Sequence, residues 1–588
     1  MSKVPHFRPR ANKLPRTSFD LSGHEAFTIS PGMLLPCFVK ELNPHDHIEI
    51  SPQSFIRLQP LQTSAFVRLK QNIEYYFVPM SSLYTFWNSF ITGLTTKDTV
   101  KSSTFFSNPF NSDYNLFPDG VLSLPSLNSK NLWQYLFYNS SKNDKFVAST
   151  NEFGFKWCND AARLMDQLGY GYGWFDGASG NSPSHFMPDV INPLRLAAYQ
   201  SIYYNFYRNA DYEDKNPSAC NLDWLIGLGG DGSSFATDAN SANAIRPLFT
   251  LRYRNWKKDF ATNVIPTLLY DKVRQTVNNF VGAQPMYTDE AVNPGDQNLE
   301  NTIAFYNPSI DYTSTTFNEE MLVNMFSNLN TASVRNAFAL EKLLETTRLA
   351  GKNYDAQIKA HYGFDSPNDK MEDIQYLGGV DSPILINEVV ASATTASGNN
   401  TLSSLGEIAG KGTSMADGKK ISFDAPTFGI VMGIMSIIPE ADYSASTIDR
   451  FNQKIHREDY FQPEFDRLGY QPLYLREVYG KKSSQNGSDQ FGGIAIGWQP
   501  RYNEYKTGKD LIHFGFESNS LSSWCSVREV PDFLSEHMTQ FLKINPACLD
   551  SIFAVNYGGG VSTDKFLVNT VHNCFCVRDM SETGQFSL

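Results

Sequence analysis

The stretch that most restricts the fold is Ser64 to Gly93, SAFVRLKQNIEYYFVPMSSLYTFWNSFITG. Ala65, Val67, Leu69, Ile73, Tyr75 and Phe77 fall on one face of an extended chain, with Arg68, Lys70, Asn72 and Glu74 on the other. That is the period-2 pattern of a half-buried antiparallel strand. Pro79 has no N–H to give and ends the ladder. Beyond it, Ser81 or Ser82 can cap a helix. Leu83, Phe86, Trp87, Phe90 and Ile91 would form its apolar stripe, and Gly93 its stop. A long strand thus feeds a short aromatic helix that must be held against something large.

Other strand signals gather at the two ends of the chain. From Phe27 to Phe77 short apolar segments alternate with Pro and Asn. Thr427 to Ile438 is almost unbroken in apolar residues, the mark of a strand buried on both faces. Gly493–Trp498, Leu511–Phe516 and Lys565–Val577 also read as strands; in the last, Leu567, Val571, Phe575 and Val577 share a face. Helices are predicted between these ends. Asn131–Tyr138 is short, and Asn192–Arg208 carries Leu196, Tyr199, Gln200, Tyr203 and Phe206 at helical spacing after Pro193. Thr331–Ala350 has a stripe of Val334, Ala337, Phe338, Leu340, Leu343 and Leu344 before Gly351, and Asn353–Tyr362 ends at Gly363. Residues 95–190, 222–243 and 268–330 read as loops or insertions, and the glycine-rich 391–420 as a flexible loop.

A chain of 588 residues exceeds the length at which single cores stop growing, about 250–300 residues. With strands at both ends and loops between, one mainly β sandwich with large insertions explains it better than consecutive domains. Hydrophobic content of 41% and charged content of 19% exclude global disorder. A net charge of −12 argues against a surface wrapped throughout in nucleic acid, while leaving room for a local basic arm. Seven scattered cysteines with no CxxC pair read as reduced thiols, as in a protein born in a cytoplasm. The first residues hold no apolar leader core, and the longest apolar run, Phe428–Ile438, is too short to span a bilayer, so no membrane insertion is expected.

Candidate sites fall into two kinds. Lys3, Arg8, Arg10, Lys13 and Arg16, with Pro5, Pro9 and Pro15 and no acidic residue, make an extended basic arm over residues 1–16. Phosphate contact and a plain solvated tail both fit it. Aromatic residues in proline-punctuated loops are candidates for interface anchors: Trp133, Tyr135 and Phe137, then Trp174 and Phe175, then Tyr502 and Tyr505. No catalytic constellation emerges. GLGGDG at Gly227–Gly232 is followed by SSFATDANSANA, which has no helical stripe to meet a pyrophosphate. GKGT at Gly410–Thr413 lacks the Walker core, and His45 with His47 finds no third metal ligand nearby in sequence. No cofactor is expected; loop carboxylates leave structural calcium open, but no motif indicates it.

Several blocks together resemble the major capsid protein of microviruses, small icosahedral single-stranded DNA bacteriophages, and the gokushovirus-like branch in particular. They are RTSFDLSGHEAFTISPGMLLPCFVKELNPHDHIEI (Arg16–Ile50), NPLRLAAYQSIYYNFYRN (Asn192–Asn209), RYRNWKKDFATNVIPT (Arg252–Thr267), the Ser333–Gly379 block, Asp449–Gly480 and GWQPRYNEYKTGKDLIHFGF (Gly497–Phe516). The resemblance implies an eight-stranded antiparallel jelly-roll β-sandwich with very long loop and helical insertions, here an arm over 1–20 and one capsid domain over 21–588. It implies pentamers assembling into a sixty-subunit T=1 shell around a circular single-stranded DNA genome, with 268–330 as the candidate surface protrusion. The implied partners are further copies of the chain, the DNA, a small basic DNA-packaging protein, a scaffolding protein, a minor pilot protein and a host-cell receptor. The implied location is the virion, assembled in the bacterial cytoplasm. Arg252, Arg254, Lys257 and Lys258 form a second basic patch that would meet DNA or a neighbouring subunit. A carbohydrate-binding β-sandwich or glycosidase, with Trp and Tyr platforms and paired carboxylates, is the alternative from another class.

Overall fold

The computed structural model describes residues 16–92, 124–128, 132, 150–171, 190–228, 245–266, 331–350, 354–363, 373–390, 408–466, 469–479, 495–517, 521–528, 530, 538–555 and 564–582. Five strands come from the N-terminal end: β1 (Thr17–Asp20), β2 (Gly23–Ile29), β3 (Leu35–Leu42), β4 (His47–Leu58) and β5 (Leu69–Pro79). The short pair β6 (Leu127–Asn128) and β7 (Val190–Ile191) follows. Then come β8 (Gln375–Val390), β9 (Ile408–Asp417), β10 (Ile421–Asp424) and β11 (Gly429–Pro439). Two further small sheets pair β12 (Tyr443–Ser444) with β15 (Leu511–Ile512) and β13 (Tyr470–Tyr474) with β14 (Ala495–Pro500). The last strand is β16 (Phe566–Arg578).

Ten of these strands make one sheet in the order β1-β16-β4-β9-β8-β5-β11-β3, with β10 branching from β4 and β2 from β16. Its strands pair antiparallel throughout. The sheet curls into a half-barrel, so the expected mainly β jelly-roll class is what forms. The long strand β8 carries the turn between its two halves: Gln375–Ile384 pairs with β5, and Leu385–Val390 pairs with β9. β11 lies between β3 and β5 and is buried along nearly its whole length, as its unbroken apolar sequence requires. Gly433 in it is needed for close approach, because a Cβ there would sit 2.8 Å from the Tyr75 ring.

The core fills the space between the two halves. Phe38 from β3 lies 4.9 Å from the His572 ring on β16, and Phe77 from β5 lies 4.8 Å from Phe423 on β10. A buried polar tie crosses the same space. Ser54 donates to Gln71 at 3.0 Å, Gln71 donates to Ser414 at 3.1 Å, and Ser414 donates to the Pro383 carbonyl at 2.9 Å. Four strands are thereby fixed in register by three hydrogen bonds whose side chains, Ser54, Gln71 and Ser414, are all buried.

Several expectations are corrected. The helix after Pro79 is two short pieces, Met80–Leu83 and Trp87–Thr92. The Asp223 carboxylate accepts both the Thr85 amide and the Thr85 hydroxyl, drawing that amide away from helical bonding. Ser82 does not cap; its hydroxyl donates back to the Pro79 carbonyl at 2.8 Å. Within 391–420, residues 408–417 are not a flexible loop but strand β9, paired on both sides. Gly412, Ser414 and Ala416 face inward there, and a Cβ on Gly412 would press on Leu58 at 2.6 Å, so small residues are the condition for pairing. The predicted segments 131–138 (save Leu132), 268–330 and 391–407 lie outside the described residues. Thr331–Ala350 is a helix as expected, with Leu344 buried but Leu343 half exposed, and Gly363 (φ +77°) ends Tyr354–Tyr362.

A helical layer covers the β5–β11 side. Leu194–Ile202 is an α-helix buried nearly all round, and Tyr203–Tyr207 continues it as a π-turn closed by the Arg208 amide on the Tyr203 carbonyl at 3.0 Å. The extra residue rotates the stripe, so Tyr207 is buried against the sheet while the predicted Phe206, its ring 4.7 Å from Tyr76, stays half exposed. Arg252 lies 5.0 Å from both the Tyr203 and Tyr204 rings and donates to Gln200 and Tyr204, each at 2.8 Å. Arg254 donates to Glu74 on β5 at 2.9 Å and to Ser436 on β11 at 3.0 Å, beneath the Tyr207 ring. A second apolar cluster, including Phe260, Tyr443, Leu473 and Phe541, packs the small sheets. All seven cysteines are free, and no described helix is long and apolar enough to cross a membrane.

Two predictions follow from these contacts. Breaking the Arg254–Glu74 pair with Arg254→Met leaves a mostly buried carboxylate with the Tyr207 hydroxyl but no counter-charge, and should cost about 3 kcal/mol in urea unfolding; adding Glu74→Gln should recover most of it. His572 is the second. Burial against Phe38 and Tyr75, with Lys40 nearby, pushes its pKa down from 6.5 to about 4. The folded state therefore binds fewer protons than the unfolded one, and the stability is complete above pH 6.5 and drains away as pH falls toward 4. Across that window the wild type should lose about 3 kcal/mol, and His572→Phe should flatten the unfolding midpoint against pH over the same range.

Candidate assembly and genome-facing surfaces

The basic arm leaves the body at a defined place. Arg16 donates to the His45 carbonyl at 2.9 Å, and Thr17 pairs with Arg578 at the end of β16. His45 itself has φ +71° and lies 3.0 Å from Asp579. Lys3, Arg8, Arg10 and Lys13 lie outside the described residues. The second basic patch divides. Arg252 and Arg254 are committed to the helical layer by the contacts above, so the run 252–258 is not one continuous basic surface. Lys257 and Lys258 are its exposed members. They precede a turn organised by Asp259, whose carboxylate accepts the Ala261 and Thr262 amides and the Tyr443 hydroxyl.

Among the aromatic candidates, Trp133, Tyr135, Phe137, Trp174 and Phe175 lie outside the described residues. Tyr502 is buried with φ +60°; its amide donates to Gln471 at 3.0 Å, and its ring packs 5.2 Å from Phe461. Tyr505 is half exposed and stands edge-on to Phe451 at 4.9 Å. Between them lies Lys454, its Nζ 4.2 Å from the Tyr505 ring, 4.5 Å from Phe451 and 2.8 Å from Glu504. Burial works against the Glu504 carboxylate, but hydrogen bonds from Lys454 and Gln471 outweigh it and hold its pKa below the usual value.

Sequence reasoning missed the neighbours of Tyr505. Ile448, Phe451, Ile455, Tyr460 and Phe461 are all exposed on the same part of the molecule. The available signal was DRFNQKIHREDYFQPEF (Asp449–Phe465), where apolar residues recur at neither helical nor strand spacing and so have no common face on which to hide. Nor did the sequence point to Phe514, which is exposed with φ +45°. No group of three or more His, Cys, Asp or Glu side chains arranged to hold a metal occurs among the described residues. His47 is engaged by Asp424 at 2.7 Å and Glu49 at 3.5 Å.

The chain is similar to two curated proteins along most of its length. It is 23% identical to "Capsid protein VP1" of Chlamydia phage 1 over 602 aligned residues, covering 96% of this chain and 94% of that protein. It is 21% identical to "Capsid protein VP1" of Bdellovibrio phage phiMH2K, covering 90% of this chain and 86% of that one. A family model described as capsid protein (F protein) matches residues 9–110 and 188–587, which contain every strand of the curled sheet. With well over half its length under that model, the chain belongs to the phage capsid protein (F protein) family.

Proposed function

We propose that this protein is the structural subunit of a microvirus virion: a short basic arm followed by one capsid domain that assembles with copies of itself. Family membership makes it a structural protein rather than an enzyme. The observation that carries the finer reading is the match of both separated blocks of sequence to capsid proteins, because those blocks meet in a single sheet. In this reading pentamers close into a sixty-subunit shell, since contacts between unlike patches of one chain close by rotation. The shell encloses single-stranded DNA, and its outer loops meet the host. Scaffolding, pilot and small basic packaging proteins of the same phage complete the particle, which forms in the bacterial cytoplasm. Lys3, Arg8, Arg10, Lys13 and Arg16, with Lys257 and Lys258, are the groups proposed to meet phosphate. Residues 268–330 are the proposed protrusion.

Sedimentation of the purified chain, with electron microscopy of the same fractions, tests the structural role. Pentamers or closed shells are expected, alone or with the phage's other proteins. A chain that stays monomeric in both conditions would exclude the capsid reading. The arm has its own test. Deleting residues 1–15 removes four of its five cations, so the slope of log affinity for single-stranded DNA against log salt should fall by about 3. Particles lacking the arm should still form. An unchanged slope would leave the arm a solvated tail.

A further inference from the structure

Phe514 is held at φ +45° with its ring 92% exposed. A bulky residue in the left-handed region is strained, and an aromatic ring in water gains nothing from folding, so the isolated chain is disfavoured here twice. Phe516, two residues on in the same 3-10 turn, ties this turn to a second aromatic group. Phe66 is also exposed, and its ring lies 5.3 Å from Trp524 and 6.1 Å from Phe516. Leu511 and Leu521 are partly exposed beside them in sequence. The charges around this knob are unbalanced. Arg68 is shared by Glu440 at 3.0 Å, Asp442 at 2.7 Å and Asp510 at 2.8 Å, and Lys70 holds Glu440 at 2.9 Å. Glu517, whose amide donates to the Phe514 carbonyl at 2.9 Å, adds a fourth carboxylate against two cations. A surplus of two negative charges repels phosphate, so the knob is not built for the genome.

The same chain carries a face of opposite character on the outside of the curled sheet. Register places Leu567, Arg57, Thr413 and Leu385 side by side across β16, β4, β9 and β8, with Phe55 and Met415 in the next row. Met415 is 78% and Leu385 62% exposed. Arg57 lies over the Phe55 ring at 5.1 Å, and exposed Lys411 follows on β9. These two rows contain no carboxylate; the nearest along β9, Asp417, accepts a hydrogen bond from Gln53 at 3.3 Å.

We infer that the Phe514–Phe66 knob of one copy docks on the Phe55–Met415–Leu385 face of a second copy. The acidic rim at Asp510 and Glu517 then meets Arg57 and Lys411. This rests on the capsid reading and names two surfaces by which its copies meet. The two patches differ, so the contact is heterologous and can close a ring. Complementary charge around a small aromatic centre fixes partner and register, and the buried ring supplies the affinity.

The test compares assembly thresholds, the chain concentration at which particles form with the phage's other proteins present. Phe514→Gly suits the left-handed backbone and should raise the melting temperature of the unassembled chain. The same change should raise the threshold roughly tenfold or more. A residue with only a local role would not move the two readouts in opposite directions. Asp510→Arg and Arg57→Asp should each raise the threshold, and the two together should bring it back toward wild type. An unchanged threshold for Phe514→Gly overturns the proposal, as does a charge-swapped pair no better than its single changes. Arg57→Asp particles that form normally but carry less DNA would give the sheet face to the genome and also overturn it. A wild-type chain that fails to assemble at all would instead sink the capsid reading before any variant is made.

Discussion

The structure depends on strands from opposite ends of the chain pairing with one another. β16 sits between strands from the first sixty residues: it pairs with β1 and β2 along one edge and with β4 along the other. Loop-closure entropy grows only slowly with length, so a separation of this size is thermodynamically tolerable. Kinetically it is demanding, because pairing between distant segments must form before it is rewarded. Until β16 arrives, β4 presents unpaired backbone groups along that side, the kind of edge that invites wrong partners. Arg163 and Asp564 reinforce the closure. Asp564, one residue ahead of Lys565 and β16, takes Arg163 at 2.9 Å and also accepts from Thr28 and Ser30 of the N-terminal end. Burial raises the pKa of that carboxyl, but Arg163 and the two hydroxyls outweigh it and hold it low. A charge is therefore kept at the seam where the ends of the chain meet.

The same economy governs the cations. Arg252, Arg254, Arg528 and Lys543 point inward, each against aromatic rings and each with a carboxylate partner. Such pairs add little net stability over apolar replacements of the same shape, yet removing one partner is costly. Their effect is to fix which helix face meets which strand. Glu213 shows this: it is shared by Arg252 and Lys543 and also accepts from the Tyr203 hydroxyl, so three segments distant in sequence are set by one side chain. A basic-looking run in the sequence can thus be internal scaffolding.

That is also where legibility in the sequence ends. β5 and the helices Thr331–Ala350 and Tyr354–Tyr362 could be read because one periodicity governs each of them, and β11 because its apolar run is unbroken. β9 was hidden because its inward residues are Gly412, Ser414 and Ala416, whose smallness looks like flexibility until Leu58 is set opposite. The π-turn at Tyr203–Tyr207 was hidden because one extra residue per turn breaks the 3.6 count only after Tyr203. Among the candidate interface residues, Tyr502 and Tyr505 are three apart, yet one is core and the other surface. Nothing in YNEY distinguishes them; the left-handed backbone at Tyr502 does.

The distribution of exposed apolar residues gives the architecture its logic. The curled sheet hides the hydrophobic residues of its inner face but leaves Leu385, Met415 and Leu567 exposed on its outer one, and the described part of residues 448–521 leaves Ile448, Phe451, Ile455, Tyr460, Phe461 and Phe514 outside. The described part of this region is built from short paired strands and 3-10 turns around a second core that it shares with Phe260, Val264, Phe541 and Leu542. Small sheets of this kind have too few strands to cover both of their faces. Enlarging the loops of a β-sandwich therefore creates surface faster than the chain can bury it. In a monomer that surplus would be an aggregation hazard. In a protein whose family forms shells, it is material for contacts between copies. The strain at Phe514 and the rings packed around Lys454 hold the exposed groups in one geometry, which lowers the entropy cost of meeting a partner.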